Sequence, residues 1–246
     1  MKLTLKFLII GMSLLIFKAC STDNETTPQP PSTSINKILP LGASRVEGAK
    51  PLYESYRYEL WKDLKENGWI FDFIGTQSDE ASYPLLNSSN FDNDHEGRGG
   101  WTSEQILNNL NDWLIQTGAP DIVLFSSPGG NDILTNLDYN TAITNINAII
   151  DKLQTNNPNV TIIIEQLAPG RSDFMTTAFT NAFNQMKIDI LTIANNQTTT
   201  ASKVIAVDMF TEFNDSYLAD NVHYNTTGAE FIATRYYNVL KNVLKE

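Results

Sequence analysis

ILPLGASRVEG, residues 38–48, is the stretch that decides the fold. It begins as a short apolar run, typical of a strand buried on both faces, and changes after Leu41 to the small residues Gly42, Ala43 and Ser44. This change predicts a strand that ends in a tight turn into a helix, with the Ser44 hydroxyl exposed at the end of the strand. A serine at such a turn is, by itself, most often a helix cap.

Apolar runs of the same kind recur along the chain, separated by longer segments of helical period. The predicted strands are 37–41, 70–74, 122–125, 160–165 and 203–207. Apolar stripes typical of core-facing helices lie between and after them: Tyr53, Tyr56, Leu60 and Leu64; Ile106, Leu110 and Trp113; Ile143, Ile146, Ile150 and Leu153; Phe179, Phe183, Met186, Ile190 and Ile193; Ile232, Tyr236, Val239 and Val243. The alternation predicts an α/β fold, a three-layer α/β/α sandwich around a five-stranded parallel sheet.

Two helix starts carry the pattern of a capping box. Thr102 is followed three residues later by Gln105, and Thr227 by Glu230. In an open parallel sheet, ligands bind beyond the carboxyl ends of the strands, so the segments that follow the predicted strands hold the candidate functional residues.

The first 34 residues differ in composition from the rest. Residues 1–19 place Lys2 and Lys6 ahead of an apolar stretch too short to span a bilayer, which predicts a signal peptide. Cys20 follows it directly and is the expected lipidation site, so we expect an exported, membrane-anchored lipoprotein of the bacterial cell envelope; secretion without lipid is the alternative. Residues 20–34 are rich in Ser, Thr and Pro and predict a flexible tether, which leaves 35–246 as one folded domain.

Charge and composition exclude several classes of partner and site. The chain has 17 Lys and Arg against 28 Asp and Glu, a net charge of −11, without a basic cluster, so nucleic acid is not expected as a partner. One cysteine and two histidines exclude a disulfide framework and a Cys/His zinc cage. Asp92, Asp94 and Glu96 alternate like the start of a calcium loop, but Ser103 stands where an EF-hand has its glutamate. We therefore expect neither a metal nor a cofactor, although a structural calcium near Asp92 and Asp94 stays open.

A serine becomes a useful nucleophile beside a general base, and two histidines are candidates for that base. His223 follows the last predicted strand, and Asp220 stands three residues before it. This spacing lets a carboxylate accept the Nδ1 proton and leaves Nε2 facing a nucleophile. His95 lies 51 positions from Ser44, in a glycine-containing segment, and is interpreted as structural.

Acyl transfer also requires donors for an oxyanion. Gly100 lies just before a capped helix, where backbone N–H groups lack helical partners. Asn131 follows the third predicted strand and can donate its side-chain amide. Both sequences are also typical of ordinary turns, so the evidence lies in their coincidence with Ser44 and His223.

Together these residues resemble the SGNH, or GDSL-like, hydrolases, which are named for the Ser, Gly, Asn and His of four blocks. GASRVEG (42–48), RGGWT (98–102), GGND (129–132) and DNVH (220–223) resemble the blocks in order. The resemblance implies a flavodoxin-like α/β/α fold, Ser44 as nucleophile, His223 as base and Asp220 as its orienting acid. It also implies an oxyanion hole made of the Ser44 N–H, the Gly100 N–H and Asn131.

A narrower resemblance indicates the substrate. ILPLG (38–42), YRYELWKDLKENGW (56–69), DFIGTQ (72–77) and DNDHEGRGGWTSEQIL (92–107) resemble the carbohydrate esterases that deacetylate xylan. We therefore expect a serine esterase that removes short acyl groups, chiefly acetyl, from a carbohydrate, with Trp101 as a candidate surface for stacking a sugar ring. The alternatives are a lipid-type or aryl-ester acyl hydrolase on the same site, and an inactive glycan-binding module.

The first block departs from the family in one position. Ala43 stands where the family usually has Asp, and Arg45 follows the serine. The change removes a carboxylate expected to hydrogen-bond the neighbouring loops, which puts the rigidity of those loops in question.

Overall fold

The computed structural model of the protein describes residues 31–246. The predicted signal peptide, Cys20 and all but the last residues of the tether lie outside that range, so the export and lipid-anchor hypotheses stay predictions. Asn36 belongs to the folded unit, because its buried amide donates to the carbonyls of Ile70 and Lys245 at 2.7 and 2.8 Å. In the range 31–246, no helix has both the length and the apolar character needed to cross a bilayer.

Six strands form one sheet, and every pairing in it is parallel. They are β1 (Lys37–Gly42), β2 (Asp72–Phe73), β3 (Glu96–Gly97), β4 (Ile122–Phe125), β5 (Thr161–Gln166) and β6 (Lys203–Asp208). Their order is β2-β1-β4-β5-β6, and β3 pairs with the carboxyl end of β1, Leu41 opposite Glu96. All five predicted strands are present, although β2 is shorter than predicted. β3 is an additional strand. It has only two residues, and so short a segment shows no periodicity from which a strand could be predicted.

Seven helices connect the described strands. They are α1 (Ser44–Glu47), α2 (Arg57–Glu66), α3 (Ser103–Thr117), α4 (Gly130–Leu134), α5 (Tyr139–Asn156), α6 (Thr177–Gln197) and α7 (Thr226–Leu240). The capping box of Thr102 and Gln105 is confirmed at the start of α3. The second predicted box is wrong: α7 begins two residues earlier than a cap at Thr227 implies, and Asn225 caps it by accepting from the Gly228 N–H. Asn is at least as good a cap as Thr, so it displaces Thr227 from that position.

The two faces of the sheet are covered by separate apolar cores. Leu39, Val123 and Ile162 point to one face and pack with α3, α5 and α6, while Ile38 and Leu124 point to the other and pack with α2 and α7. Alternate residues of a strand face opposite sides, so each central strand contributes to both cores. The arrangement confirms the predicted three-layer sandwich and leaves the strand ends as the surface on which a site can form.

Asp132 joins two of the segments at the carboxyl edge. It lies on α4 and is almost fully buried. Its carboxylate accepts from the Ser103 N–H at 2.9 Å and from the Ser103 hydroxyl at 2.6 Å. The start of α3 is therefore fixed to the segment that follows β4.

We predict that Asp132→Ala lowers the free energy of unfolding by about 2–4 kcal/mol, because it leaves two donors of Ser103 without a partner in a buried place. Asp138→Ala is the matched control: Asp138 accepts from the N–H and hydroxyl of Thr141, both at 2.7 Å, but is exposed to solvent. Urea unfolding followed by circular dichroism should show a clearly smaller loss for Asp138→Ala. Equal losses would mean that burial of Asp132 contributes nothing.

Candidate active site

Ser44 is the first residue of α1 and stands directly beyond the end of β1. The turn is tight: a Cβ on Gly42 would come within 2.8 Å of Val46 Cγ2 and 2.9 Å of the Ser126 carbonyl oxygen. Glycine is therefore required at position 42. The side chain of Ser44 is partly exposed at the edge of the sheet, as the sequence predicts.

His223 and Asp220 meet Ser44 from the loop before α7. His223 Nε2 lies 2.9 Å from Ser44 Oγ, and His223 Nδ1 lies 2.7 Å from Asp220 Oδ2. The other oxygen of Asp220 accepts from the N–H groups of Val222 and His223 at 2.9 and 2.8 Å. Partial burial raises the pKa of Asp220, but these hydrogen bonds outweigh it and hold the pKa below its ordinary value. The structure thus brings three predicted residues into one hydrogen-bonded chain, with an ionised carboxylate at its end.

Tyr53 is a part of the site that the sequence reasoning missed. Its periodicity placed it on a core-facing helix, but it precedes α2, and its ring stacks on the imidazole of His223 with centroids 3.9 Å apart and planes 13° from parallel. Burial raises the pKa of Tyr53, as do the nearby Glu47 and Asp220 carboxylates, so the phenol stays neutral. The stacked ring fixes the plane of the imidazole. No local pattern in the sequence indicates such a contact.

Asn131 lies on α4, beside Ser44. Its side-chain nitrogen donates to the Trp101 carbonyl at 2.8 Å, which sets the orientation of the amide. An amide nitrogen carries two hydrogens, so one donor remains for a ligand. Asn131 and Ser44 both line one small cavity.

Gly100 occupies the exposed turn between β3 and α3. Its φ of +77° favours glycine, although a Cβ there would meet no atom within 4 Å. The Trp101 ring, 5.6 Å from that of Trp113, packs against the core, and the Arg98 guanidinium lies over both rings. Much of Trp101 is therefore used in packing, and its role as a sugar platform stays a prediction.

The cavity next to Ser44 is small. It has a volume of about 30 Å³ and its far walls are formed by Leu134, Leu167, Phe183 and Val222. A single water requires about 10–15 Å³ by this measure, so the space suits one small apolar group. An open groove of about 570 Å³ adjoins it, lined among others by Phe183, Phe210 and Asp215.

A buried carboxyl group lies beneath the site. Glu165 is fully inaccessible to solvent, and its Oε2 accepts from the Ser127 N–H at 2.7 Å and from the Ser126 hydroxyl at 3.0 Å. Burial raises the pKa of this carboxyl, while Ser127 and the positive charge of Arg45 are among the influences that lower it. Sequence reasoning missed this group; the one charged residue in the strand segment TIIIEQ (161–166) is the signal that could have indicated it.

His95 has the structural role that its position suggests. It is 1% exposed, its Nδ1 accepts from the Gly97 N–H at 2.9 Å, and its backbone pairs with Gln77. Burial, followed by the charges of Arg57 and Arg98, lowers its pKa to about 2, so the ring stays neutral.

The acidic residues before His95 act within the fold. Asp92 Oδ2 accepts from the Phe73 N–H at 2.7 Å, and burial raises the pKa of Asp92 to about 7. Over residues 31–246, no group of three or more His, Cys, Asp or Glu side chains is arranged to hold a metal ion.

Comparison with known proteins places the chain in a family. Residues 74–231 match the model of the GDSL-like Lipase/Acylhydrolase family. The matched stretch includes Gly100, Asn131, Asp220 and His223 but begins after Ser44. A putative endoglucanase X of Acetivibrio thermocellus is 30% identical over 144 residues, which are 57% of this chain and 58% of that relative. The chain thus spans little more than half the length of that curated relative.

Solved structures agree over a larger part of the chain. A family 3 carbohydrate esterase of Clostridium thermocellum is 31% identical, with a TM-score of 0.68 over 85% of this chain and 99% of that one. A carbohydrate esterase of family 3 from Talaromyces cellulolyticus is 26% identical, with a TM-score of 0.72 over 85% and 97% of the two chains. An acetyl esterase mutant with acetate ion is 27% identical, with the same TM-score and coverage.

The family model covers well over half of the chain, and these structural relatives are carbohydrate and acetyl esterases. The chain belongs to the GDSL-like lipase/acylhydrolase family, and it is an ester hydrolase.

Proposed function

We propose that the protein is a serine esterase that removes short acyl groups, chiefly acetyl, from carbohydrates, with Ser44, His223 and Asp220 as its catalytic triad. The observation that carries the proposal is the chain of hydrogen bonds of 2.9 and 2.7 Å from Ser44 Oγ through His223 to Asp220 Oδ2. This is the arrangement that nucleophile, base and orienting acid require.

In the first half of the reaction, Ser44 Oγ attacks the ester carbonyl while its proton passes to His223 Nε2. The carboxylate of Asp220 stabilises the imidazolium that forms. The free N–H of the Asn131 amide, with the N–H groups of Ser44 and Gly100, donates to the oxyanion. The intermediate then expels the alcohol, which takes the proton from His223, and the acyl group stays on Ser44.

In the second half, a water molecule replaces the alcohol. His223 takes a proton from the water as the oxygen attacks the acyl-serine, and it returns this proton to Ser44 Oγ as the acid leaves. Each half ends with His223 neutral. No cofactor enters either step.

The small cavity supports a short acyl group. An acyl chain on Ser44 that enters this cavity meets Leu134, Leu167 and Phe183 within about 30 Å³, enough for the methyl group of acetate. A long lipid chain would not fit in this cavity and would have to extend past Phe183, which separates the cavity from the open groove. This favours an acetyl esterase over a lipid-type acyl hydrolase on the same site.

One observation supports a carbohydrate as the alcohol, and a second concerns the charge of that carbohydrate. Structural relatives at 26% and 31% identity are family 3 carbohydrate esterases. The chain has a net charge of −11, which disfavours polyanionic glycans by long-range repulsion. A neutral or weakly charged acetylated glycan is therefore the proposed substrate.

We predict that Ser44→Ala and His223→Ala each abolish nearly all turnover of p-nitrophenyl acetate and leave the fold intact, because the two residues act as one unit. His95 is the matched control for His223. His95→Ala should lower the unfolding midpoint and leave the kcat of the folded fraction near the wild-type value. Retention of more than a few per cent of activity in either Ser44→Ala or His223→Ala, with a native circular-dichroism spectrum, would refute the triad. Inactive wild-type protein on every ester would instead favour the glycan-binding alternative.

Asn131→Ala should reduce kcat by about 10²–10³-fold with little change in KM, since its free N–H is used mainly in the transition state. Asn145→Ala is the matched control, because Asn145 is a buried amide that donates to Ser103 Oγ at 3.2 Å and does not line the cavity. It should affect stability and leave kcat near the wild-type value. An Asn131→Ala effect confined to KM would assign Asn131 to ground-state binding.

The acyl-length preference should be steep. Rates on p-nitrophenyl esters should be highest for acetate and fall steeply beyond butyrate, because the cavity has room for little more than a methyl group. Acetate should be released from acetylated xylan or a similar glycan. Chromatography of released acids, with Ser44→Ala as the blank, provides the measurement. A maximum at octanoate without acetate release from any acetylated sugar would support the lipid-ester alternative.

A further inference from the structure

The residue after the nucleophile has contacts that the family resemblance does not account for. Ala43 lacks the carboxylate that usually binds the neighbouring loops, yet these loops hold Ser44 and His223 within hydrogen-bonding distance. On the other side of Ser44, the long side chain of Arg45 is 7% exposed. A buried guanidinium requires partners for its five N–H donors.

Arg45 finds these partners on three separate loops. Its Nε donates to the Val222 carbonyl at 2.8 Å, its Nη1 to the Ala168 carbonyl at 2.8 Å, and its Nη2 to the Pro169 carbonyl at 3.1 Å. A weaker contact of 3.4 Å joins Nη1 to Ser127 Oγ. The loops are those before α7, after β5 and after β4, so one side chain joins three strand ends to α1.

The contact with Val222 bears directly on the reaction, because Val222 immediately precedes His223. The loop is rigid by itself, since Asp220 accepts from the backbone of Val222 and His223. Its position relative to Ser44 is a separate matter. Arg45 links the loop directly to Ser44, because its backbone continues from Ser44 and its Nε donates to the Val222 carbonyl.

A buried carboxyl group lies near Arg45, on the other side of Ser127. Ser127 Oγ lies 3.4 Å from Arg45 Nη1 and 3.3 Å from Glu165 Oε2, so it bridges the buried cation and the buried carboxyl group. The Tyr224 ring covers the guanidinium, with its centroid 4.9 Å from Cζ. The planar guanidinium of Arg can donate to several acceptors in different directions at once. The ammonium group of Lys cannot reproduce this arrangement.

We propose that Arg45 is a positioning residue that holds the loop of His223 against Ser44, in place of the carboxylate missing at position 43. The inference rests on the proposed function, because it assigns a role in the same triad. The side chain that follows the nucleophile in sequence would then align the nucleophile with the base.

Kinetics of Arg45→Ala test this role. We expect kcat to fall by about a hundredfold or more with KM little changed, because a misplacement of about 1 Å between reacting groups costs this much. Added guanidinium ion should restore part of kcat, and methylammonium should not. Arg45→Lys should stay impaired, and it carries the same test if Arg45→Ala does not fold.

Arg235→Ala is the matched control. Arg235 also donates to two backbone carbonyls, those of Asp208 and Thr211, both at 2.6 Å, and lies over the Phe231 ring. It contacts none of the candidate site residues. We expect Arg235→Ala to lower the unfolding midpoint and to keep kcat, without a response to guanidinium. A similar fall of kcat in both variants would refute a specific role for Arg45.

A second readout does not depend on activity. The Tyr53 ring stacks on His223, so the NMR signal of the His223 ring proton carries a ring-current shift that reports the position of the loop. His95 is the other histidine and serves as an internal reference. Arg45→Ala, or Arg45→Lys, should change the His223 shift, and Arg235→Ala should not. An unchanged His223 shift in the Arg45 variants would overturn the inference. Inactive wild-type protein would refute the proposed function, and it would leave this NMR test of the inference unaffected.

Discussion

The parallel direction of all the strands is the constraint on which the site depends. A parallel sheet gathers the carboxyl ends of its strands at one edge, and there the last residues of β1 pair with β3 and with the end of β4. The turns after these strands carry Ser44, Gly100 and Asn131 to that edge. His223 arrives from the segment between β6 and α7, 179 positions after Ser44, and still meets it within 2.9 Å. Reversal of one strand would carry its residue to the opposite edge.

The helix that presents Ser44 is too short to be stable alone. It has four residues, and the conformational entropy lost in forming a single helical turn exceeds the stabilisation from its few hydrogen bonds. Two buried arginines hold it from different sides. Arg57, fully buried on α2, donates to the carbonyls of Val46 and Glu47 at 2.7 and 2.9 Å, and Arg45 reaches the loops from within the helix. Ser44 is therefore held in place by tertiary contacts, which include the burial of Val46 of the same turn in the core.

The sequence predicted the elements whose signals are local. Apolar runs predicted all five main strands, and the spacing of Asp220 and His223 predicted a hydrogen bond formed within one loop. Signals failed where distant segments decide the outcome. Tyr53 fits a helical stripe, but the backbone pairing of Glu54 with Tyr224 draws it onto His223. Likewise, Arg45 donates mainly to backbone carbonyls. Every residue has such a carbonyl, so the sequence contains no signal that identifies the partners of Arg45.

Phe183 lines both the cavity beside Ser44 and the larger groove next to it. It belongs to α6, which contributes none of the proposed catalytic residues. Phe183 thus places part of the proposed acyl-length selectivity on an element that carries none of the proposed catalytic residues, while Leu134 places another part on α4 with Asn131. In evolutionary terms, a single replacement on α6 could join the two spaces and admit a larger acyl group while the nucleophile, base and oxyanion donors stay as they are.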